Sequence, residues 1–358
     1  MEKSLYFDYI QKKFPAFITA VVERLNEKNQ KSLPYLYKDL LTTDFSADGR
    51  WASVLAEYSR VAADVVALDS ELPLKSRDTI ETASGDIPKI GMKLYLTEKQ
   101  MKDIDSMLAQ RLPINNIVQK IFNDTPRCIE GVWERIEDIF LSELSSGVGL
   151  SERNNGTGVR IDMGYYNDHK FGVAALWDSP SVKALDDLQK IFDKALDDNN
   201  TITNMWADDY FLKNFYKNEQ VRQQFAFNMG FVGNNIPVLS FEQAADAVKR
   251  KFGVTLHRVA RKVKTEINGS KVSHNPWQEG VAAFTCDEKL GKLVWTTTAE
   301  ETRPVNGVMY QKADEYILMS KYSTNDPLRE FTSSQAMAVP VLDNVDRIYT
   351  IDTKTVTA

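Results

Sequence analysis

Three adjacent carboxylate pairs, Asp186-Asp187, Asp197-Asp198 and Asp208-Asp209, are the residues best suited to holding a metal or running acid–base chemistry. Neighbouring residues on a helix do not share a face, so none of the pairs converges on one point by itself. Near helix starts, Asp186-Asp187 and Asp208-Asp209 favour the positive end of the helix dipole instead. His169, His257 and His274 stand apart, with no cysteine or carboxylate at metal-ligand spacing. Cys128 and Cys286 are too few and too far apart for a disulfide framework or a metal cluster, which fits synthesis in a reducing cytoplasm. The glycines between Gly147 and Gly158 lack the Gly-Lys-Ser/Thr ending of a phosphate-binding loop. These residues lead us to expect no catalysis, no metal and no cofactor.

Positive charge is the other candidate. Lys249, Arg250, Lys251, Arg258, Arg261, Lys262, Lys264 and Lys271 face a single acid, Glu266, over that span. Such a run could take nucleic acid, and a nucleic-acid-binding module is one function to weigh. It lacks the interleaved aromatics on which single-strand binders stack bases.

The chain of 358 residues carries a formal net charge of -6 and 43% hydrophobic residues, enough for one large or two ordinary globular domains. Its most apolar early run, Phe17 to Val22, is far shorter than a membrane span, so neither a membrane nor an export step is expected.

The longest helical signal runs from Ile114 to Gly147. Ile129, Val132, Trp133, Ile136, Ile139, Phe140 and Leu144 recur at three and four, and Arg127, Glu130, Glu134, Glu137, Asp138 and Glu143 fill the gaps. The pattern predicts a helix over 126–146 with one apolar stripe and one largely acidic face, capped by Thr125, opened by Pro126 and stopped by Gly147. Pro126 should kink it or separate it from the shorter stripe Ile117, Val118, Ile121 and Phe122.

Residues 1–60 read as helical pieces and loops, with one stripe from Phe14 to Leu25 and another at Trp51, Val54, Leu55 and Tyr58. They resemble an arm that packs elsewhere. Residues 61–97 read as extended segments turning at Ser84-Gly85-Asp86. Pro73 and Pro88 confine them to edges or to a lone ribbon with no evident partner in the chain. Further helices are expected at 181–197, 208–225 and from a capping box at Ser240 to Gly253. Strands are expected at 202–206, at 254–267 up to the Asn268-Gly269 turn, and at 280–286, 292–298, 316–322, 331–342 and 347–352. The class is α+β.

Laid out in this order, several stretches resemble the lambda-type phage major capsid proteins, a branch of the HK97-like capsid fold. Ile161-Asp162-Met163-Gly164, then Trp177, then Leu185-Asp186-Asp187-Leu188 resembles that family's progression after its long helix. Asn268-Gly269, Pro276-Trp277 and Gly280 to Phe284 resemble the middle of its axial domain. The most specific run is Asp326-Pro327-Leu328-Arg329-Glu330-Phe331-Thr332 with Gln335 beyond it. Together these cover about residues 60–352, so Asp162, Gly164, Trp177, Trp277, Asp326, Pro327, Arg329, Glu330 and Phe331 are candidate structural residues by resemblance.

The resemblance implies an HK97-like major capsid fold. Residues 1–60 would be the N-terminal arm and 61–112 the extended β-hairpin loop with its flank, lying across a neighbouring subunit. Residues 113–177 with 311–358 would form the peripheral domain around the spine helix 126–146, and 178–310 the axial domain. Pentamers and hexamers of the chain would close an icosahedral shell around double-stranded phage DNA, in a virion assembled in the host cytoplasm. Portal and scaffolding proteins would be partners, with room left for a decoration protein. A cellular nanocompartment shell of the same fold is the alternative within the fold. In such a shell the basic run would meet either DNA or an acidic neighbour, such as the Asp-rich helix starts of the next subunit around the ring. The expected use of Arg329-Glu330 is a bidentate ion pair, across a subunit contact or inside the peripheral domain, against a solvated pair worth little.

Overall fold

The computed structural model describes residues 2–31, 34–56, 80–150, 160–179, 182–230, 238–267 and 269–357. Everything in it is arranged around the 22-residue helix Thr125–Ser146. Its apolar stripe, from Cys128 and Ile129 through Trp133 to Leu144, is buried. Pro126 lies in the first turn, and Phe122–Asp124 separates the helix from a shorter one at Ile114–Ile121. Two details depart from expectation. Thr125 begins the helix rather than capping it, and Asp124 before it makes no side-chain cap. At the other end Gly147 takes the left-handed conformation (φ 78°), and a Cβ there would stand 2.7 Å from the Tyr165 ring, so glycine is required twice over.

One six-stranded sheet packs on this helix. Its order is Leu41–Phe45, Gly291–Thr296, Arg329–Leu342, Ile317–Thr324, Met309–Ala313, and Lys89–Leu96 adds to Arg329–Leu342. Only the pairing of Leu41–Phe45 with Gly291–Thr296 is parallel. A second, five-stranded sheet has the order Lys170–Val173, Ile348–Val356, Val281–Thr285, Asn204–Asp208, Thr255–Val259. The helices Ala184–Asp197, Asp209–Lys217, Glu219–Asn228 and Phe241–Phe252 complete it. Each sheet has its own core: Trp133, Phe140 and Phe122 anchor the first, and Phe211, Phe215 and Phe284 the second. The result is an α+β fold with two cores.

Sequence patterns located the second region well. Ser240 and Gln243 form a reciprocal capping box, and Gly253 closes that helix in the left-handed conformation. The helix expected from residue 181 begins at Ala184, and residue 181 itself lies outside the described residues. The single pattern over 208–225 is two helices, broken where Asn218 leaves the helical conformation and caps the second. The stretch 254–267 is likewise two strands, Thr255–Val259 and Val263–Ile267, which belong to different sheets. Val263–Ile267 pairs with Ser270–His274 as a hairpin; Asn268 of its turn lies outside the described residues, and Gly269 has φ 78°.

The N-terminal third departs further from its local patterns. Trp51 to Leu55 is not helical: Arg50–Ala56 is a strand paired antiparallel with Ile80–Asp86. Ser84-Gly85-Asp86 is therefore strand, and only Ile87-Pro88 separates it from the strand Lys89–Leu96. Lys89–Leu96 has a partner in its own chain, Arg329–Leu342. Tyr58, Pro73 and the rest of 57–79 lie outside the described residues. The stripe from Phe14 to Leu25 also packs at home. Phe14 and Phe17 stack on Phe122 at 5.4 and 4.6 Å, and Ile18, Val21 and Leu25 are buried in the first core. Local patterns record which face is apolar; they do not record which surface covers it.

Candidate functional site

The acidic face of the spine helix is where the structure differs most from expectation, because other segments of the chain cover much of it. Glu137, Asp138 and Glu143 are all buried. Glu137 takes the backbone N–H groups of Leu36 and Tyr37, both at 3.0 Å, and so caps the short helix Leu36–Leu40 from outside. Burial pushes its carboxyl up to about 7, against the pull of those two N–H donors. Glu134 accepts from the Tyr35 hydroxyl at 3.0 Å and from Arg261 Nη2 at 2.9 Å, while the Arg261 guanidinium lies 3.8 Å from the centre of the Tyr35 ring. Asp138 meets His274 Nε2 at 2.6 Å and Arg135 Nη1 at 2.7 Å. Three carboxylates within little more than one turn thus fasten the N-terminal segment and the 261–274 stretch to one helix.

This resolves part of the basic run. Arg261 is committed to the spine, and Arg258 makes two bonds, of 2.6 and 3.2 Å, to Asp209 at the start of a helix in its own chain. An Asp-rich helix start is indeed the acidic partner of Arg258, but it belongs to the same molecule. Arg250 pairs with Asp246 one turn earlier. Lys249, Lys251, Lys262, Lys264 and Lys271 are exposed, the first two at a helix C-terminus where positive charge complements the dipole.

None of the carboxylate pairs comes together as a site. Asp187 accepts the Trp177 indole N–H at 3.1 Å, Asp198 meets His169 and the Tyr349 hydroxyl, and Asp208 caps its helix through Phe211 N while also taking Gly280 N at 3.2 Å. Burial raises the Asp208 carboxyl and lowers the His169 and His257 imidazoles, which stack on Tyr349 and Trp206. Among the described residues no cluster of His, Cys, Asp and Glu could hold a metal, and no helix is long and apolar enough to cross a membrane.

The motif residues are joints. Asp162 Oδ1 accepts Gly164 N in a two-residue turn, and Gly164 has φ 67°. Trp177 packs on Phe211 and Phe215; Trp277 is buried and donates to Val281 O at 2.9 Å. Thr324 Oγ1 donates to Pro327 O beside the cis Asp326-Pro327 bond. Arg329 and Glu330 do not pair with each other, since neighbours on a strand point to opposite faces. Arg329 lies 4.2 Å from the Tyr95 ring centre. Glu330, fully buried, sits 3.9 Å from the equally buried Lys321 and accepts Ser4 Oγ at 2.5 Å and Leu5 N at 2.9 Å. Phe331 stacks on Tyr322 and meets the Tyr95 ring at a tilt.

Residues 55–353 match the family model for phage major capsid protein E. The chain belongs to that family. It is a phage capsid shell protein of HK97-like fold. No curated protein sequence matches it. The protein assigned as the capsid protein of an Escherichia coli CFT073 prophage is similar in structure, with a TM-score of 0.58 over 94% of this chain and 98% of that one at 12% identity. A phage-related protein from Bordetella bronchiseptica RB50 follows at 0.50 over 95% and 96%, with 9% identity.

Glu134, Glu137, Asp138, Lys321 and Ser4 are joints of this capsid protein that do not stand out in its sequence. One signal was available: a helix with acids on nearly every turn opposite its apolar stripe still needs a covering surface if it is to be a spine. Lys321 had none, because it lies in a strand buried on both faces, Ile317–Thr324, where alternation is lost.

Proposed function

We propose that copies of this capsid protein assemble as pentamers and hexamers into an icosahedral shell that encloses double-stranded phage DNA. Its work is geometric rather than catalytic. The observation that carries the reading is the ribbon Arg50–Ala56/Ile80–Asp86, a two-stranded sheet that joins neither large sheet. Trp51 is buried at its base and Ser53 Oγ donates to Leu342 O at 2.6 Å, so the ribbon is anchored at one end. An isolated two-stranded ribbon is marginal in water unless another surface supports it, and a neighbouring subunit is that surface.

In this reading the arm is the chain before Arg50, and the extension loop is the ribbon that leaves through Arg50–Ala56 and returns through Ile80–Asp86. The peripheral domain is the spine helix with the first sheet, Gly291–Thr296 included, and the axial domain that meets its copies at the ring axes is built on the second sheet, to which Lys170–Val173 and Ile348–Val356 contribute. The shell forms in the host cytoplasm with a portal and a scaffolding protein, and the exposed lysines of 249–271 face DNA or a neighbouring subunit. Many weak contacts become effectively irreversible once the shell closes, because each subunit is held by several neighbours at once.

Negative-stain microscopy of the purified chain, expressed alone and with its genomic neighbours, tests this. Rings, tubes or closed shells of uniform wall are expected. A stable monomer under every condition, with tight and salt-steep DNA binding, would overturn it in favour of a nucleic-acid-binding module.

A further inference from the structure

Lys38, Asn26 and Asp314 meet in a place that shell geometry does not require. All three line one cavity of about 610 Å³, together with Tyr35, Tyr37 and Tyr316. They come from three elements: the helix Phe14–Lys31, the helix Leu36–Leu40, and the turn between the strands Met309–Ala313 and Ile317–Thr324. Asp314 takes a left-handed backbone conformation (φ 56°), uncommon for a residue with a Cβ. Lys38 Nζ donates to Asn26 Oδ1 at 2.9 Å, lies 3.9 Å from Asp314 Oδ2, and sits 3.2 Å from the centre of the Trp133 ring. The Asp314 carboxylate is in turn held by Trp133 Nε1 at 2.8 Å.

This is an amine, an amide and a proton carrier held together against aromatic rings. Burial pushes the Lys38 ammonium down to about 8, so part of the population carries a free lone pair near neutrality. Burial also raises the Asp314 carboxyl, which suits it to accept a proton and to release it. The amide carbon is one bond beyond the oxygen that Nζ already touches, and such proximity is what replaces a catalyst in an intramolecular reaction.

We propose that Lys38 and Asn26 join in an intramolecular isopeptide bond, with Asp314 carrying the proton. Nζ attacks Cγ of Asn26; the new N–C bond forms as the C–Nδ2 bond breaks. One proton leaves Nζ for the Asp314 carboxylate and passes to Nδ2, which departs as ammonia. Asp314 is regenerated, and no oxidant or co-reactant is consumed. The chain reacts once, with itself, and the product ties the N-terminal helix to the segment that the spine carboxylates already cap.

Intact-mass measurement of the full chain, both before assembly and in assembled particles, tests the proposal directly on the unaltered protein. The expected mass is lower than that of the sequence by one ammonia, and digestion should yield a branched peptide joining Lys38 to Asn26. Lys38→Arg and Asp314→Asn should both retain the full mass. Full sequence mass in both states, with Lys38 recovered in an unlinked peptide, would overturn the bond. Loss of ammonia without the branched peptide would also count against it, and a linked Asp314→Asn chain would remove Asp314 from the step.

Discussion

Lys321 and Glu330 are both fully buried 3.9 Å apart, a cost that only dense hydrogen bonding offsets. Lys321 Nζ donates to Ile121 O and Thr332 Oγ1, and Glu330 takes Ser4 and Leu5, so one pair ties the N-terminus, the strand Arg329–Leu342 and the end of the helix Ile114–Ile121 together. Burial lowers the Lys321 ammonium to about 8 and raises the Glu330 carboxyl. Removing one member strands the other, so Glu330→Ala should cost about 3–5 kcal/mol in denaturant unfolding. A loss under about 1 kcal/mol would mean that the pair is not closed in solution. Glu143 is the opposite case: its carboxylate is buried with neither oxygen bonded, and its pKa is raised well above the usual carboxylate range by desolvation. Since the folded pKa exceeds the unfolded one, its penalty is absent below the ordinary Glu value, about 4.3, and grows as pH rises toward the folded value. The melting temperature of the subunit should therefore fall over that window, and Glu143→Gln should flatten the fall. An unchanged slope in the variant would exclude Glu143 as its source. A Cβ on Gly149 would stand 2.6 Å from Glu143 Oε1, so this carboxyl also explains a glycine.

At the scale of elements, the spine helix is the part on which three segments converge, and two arginines of one basic run separate structural from solvated charge. Arg261 is largely covered and bonded to Glu134 across to the spine, whereas Arg258 and Asp209 are both more than half exposed. Arg261→Ala should cost about 1.5–3 kcal/mol and loosen the 261–274 stretch, as a lost charge-assisted bond does. Arg258→Ala should cost under about 1 kcal/mol although its two bonds reach 2.6 Å, because water screens that pair. Denaturant midpoints of the two variants decide this, and the reverse ranking would contradict the assignment. The break at Phe122–Asp124 before Pro126 is the spine's one interruption in its covalent approach, and a change of helix path there between immature and expanded shells is the expected movement. An identical path in both would remove it.

For the whole molecule, two cores and a ribbon anchored at one end make a subunit with large surfaces still to cover. Lys249, Lys251, Lys262 and Lys264 are exposed and take no part in the buried joints, so Lys262→Glu with Lys264→Glu should alter subunit stability by no more than about 0.5 kcal/mol. The effect should appear in the assembly. DNA-free shells that fail to form at low salt would place these lysines against a neighbouring subunit. Shells that form normally and retain less DNA would place them on the packaged genome, and a variant indistinguishable from the parent in both respects would leave the lysines without a role.

What the sequence by itself determined is whatever short-range rules control. The helix over 126–146 with its glycine stop, the Ser240/Gln243 capping box, the hairpin turn at Gly269 and the order of the C-terminal strands were all readable, since each depends on contacts within a few residues. The motif around Asp326 to Phe331 identified the family for the same reason: it is contiguous. The tertiary structure alone decided where the charges go. Glu137 and Asp138 read as part of a largely acidic face, and Arg329-Glu330 as the place of a bidentate arginine–carboxylate contact, because a sequence shows spacing along the chain but not the element that lies across from it. Leu36, Arg261, His274 and Ser4 are all more than 90 residues from the acids they meet. Pairing energy depends on distance and burial, and both are properties of the packed chain rather than of the string.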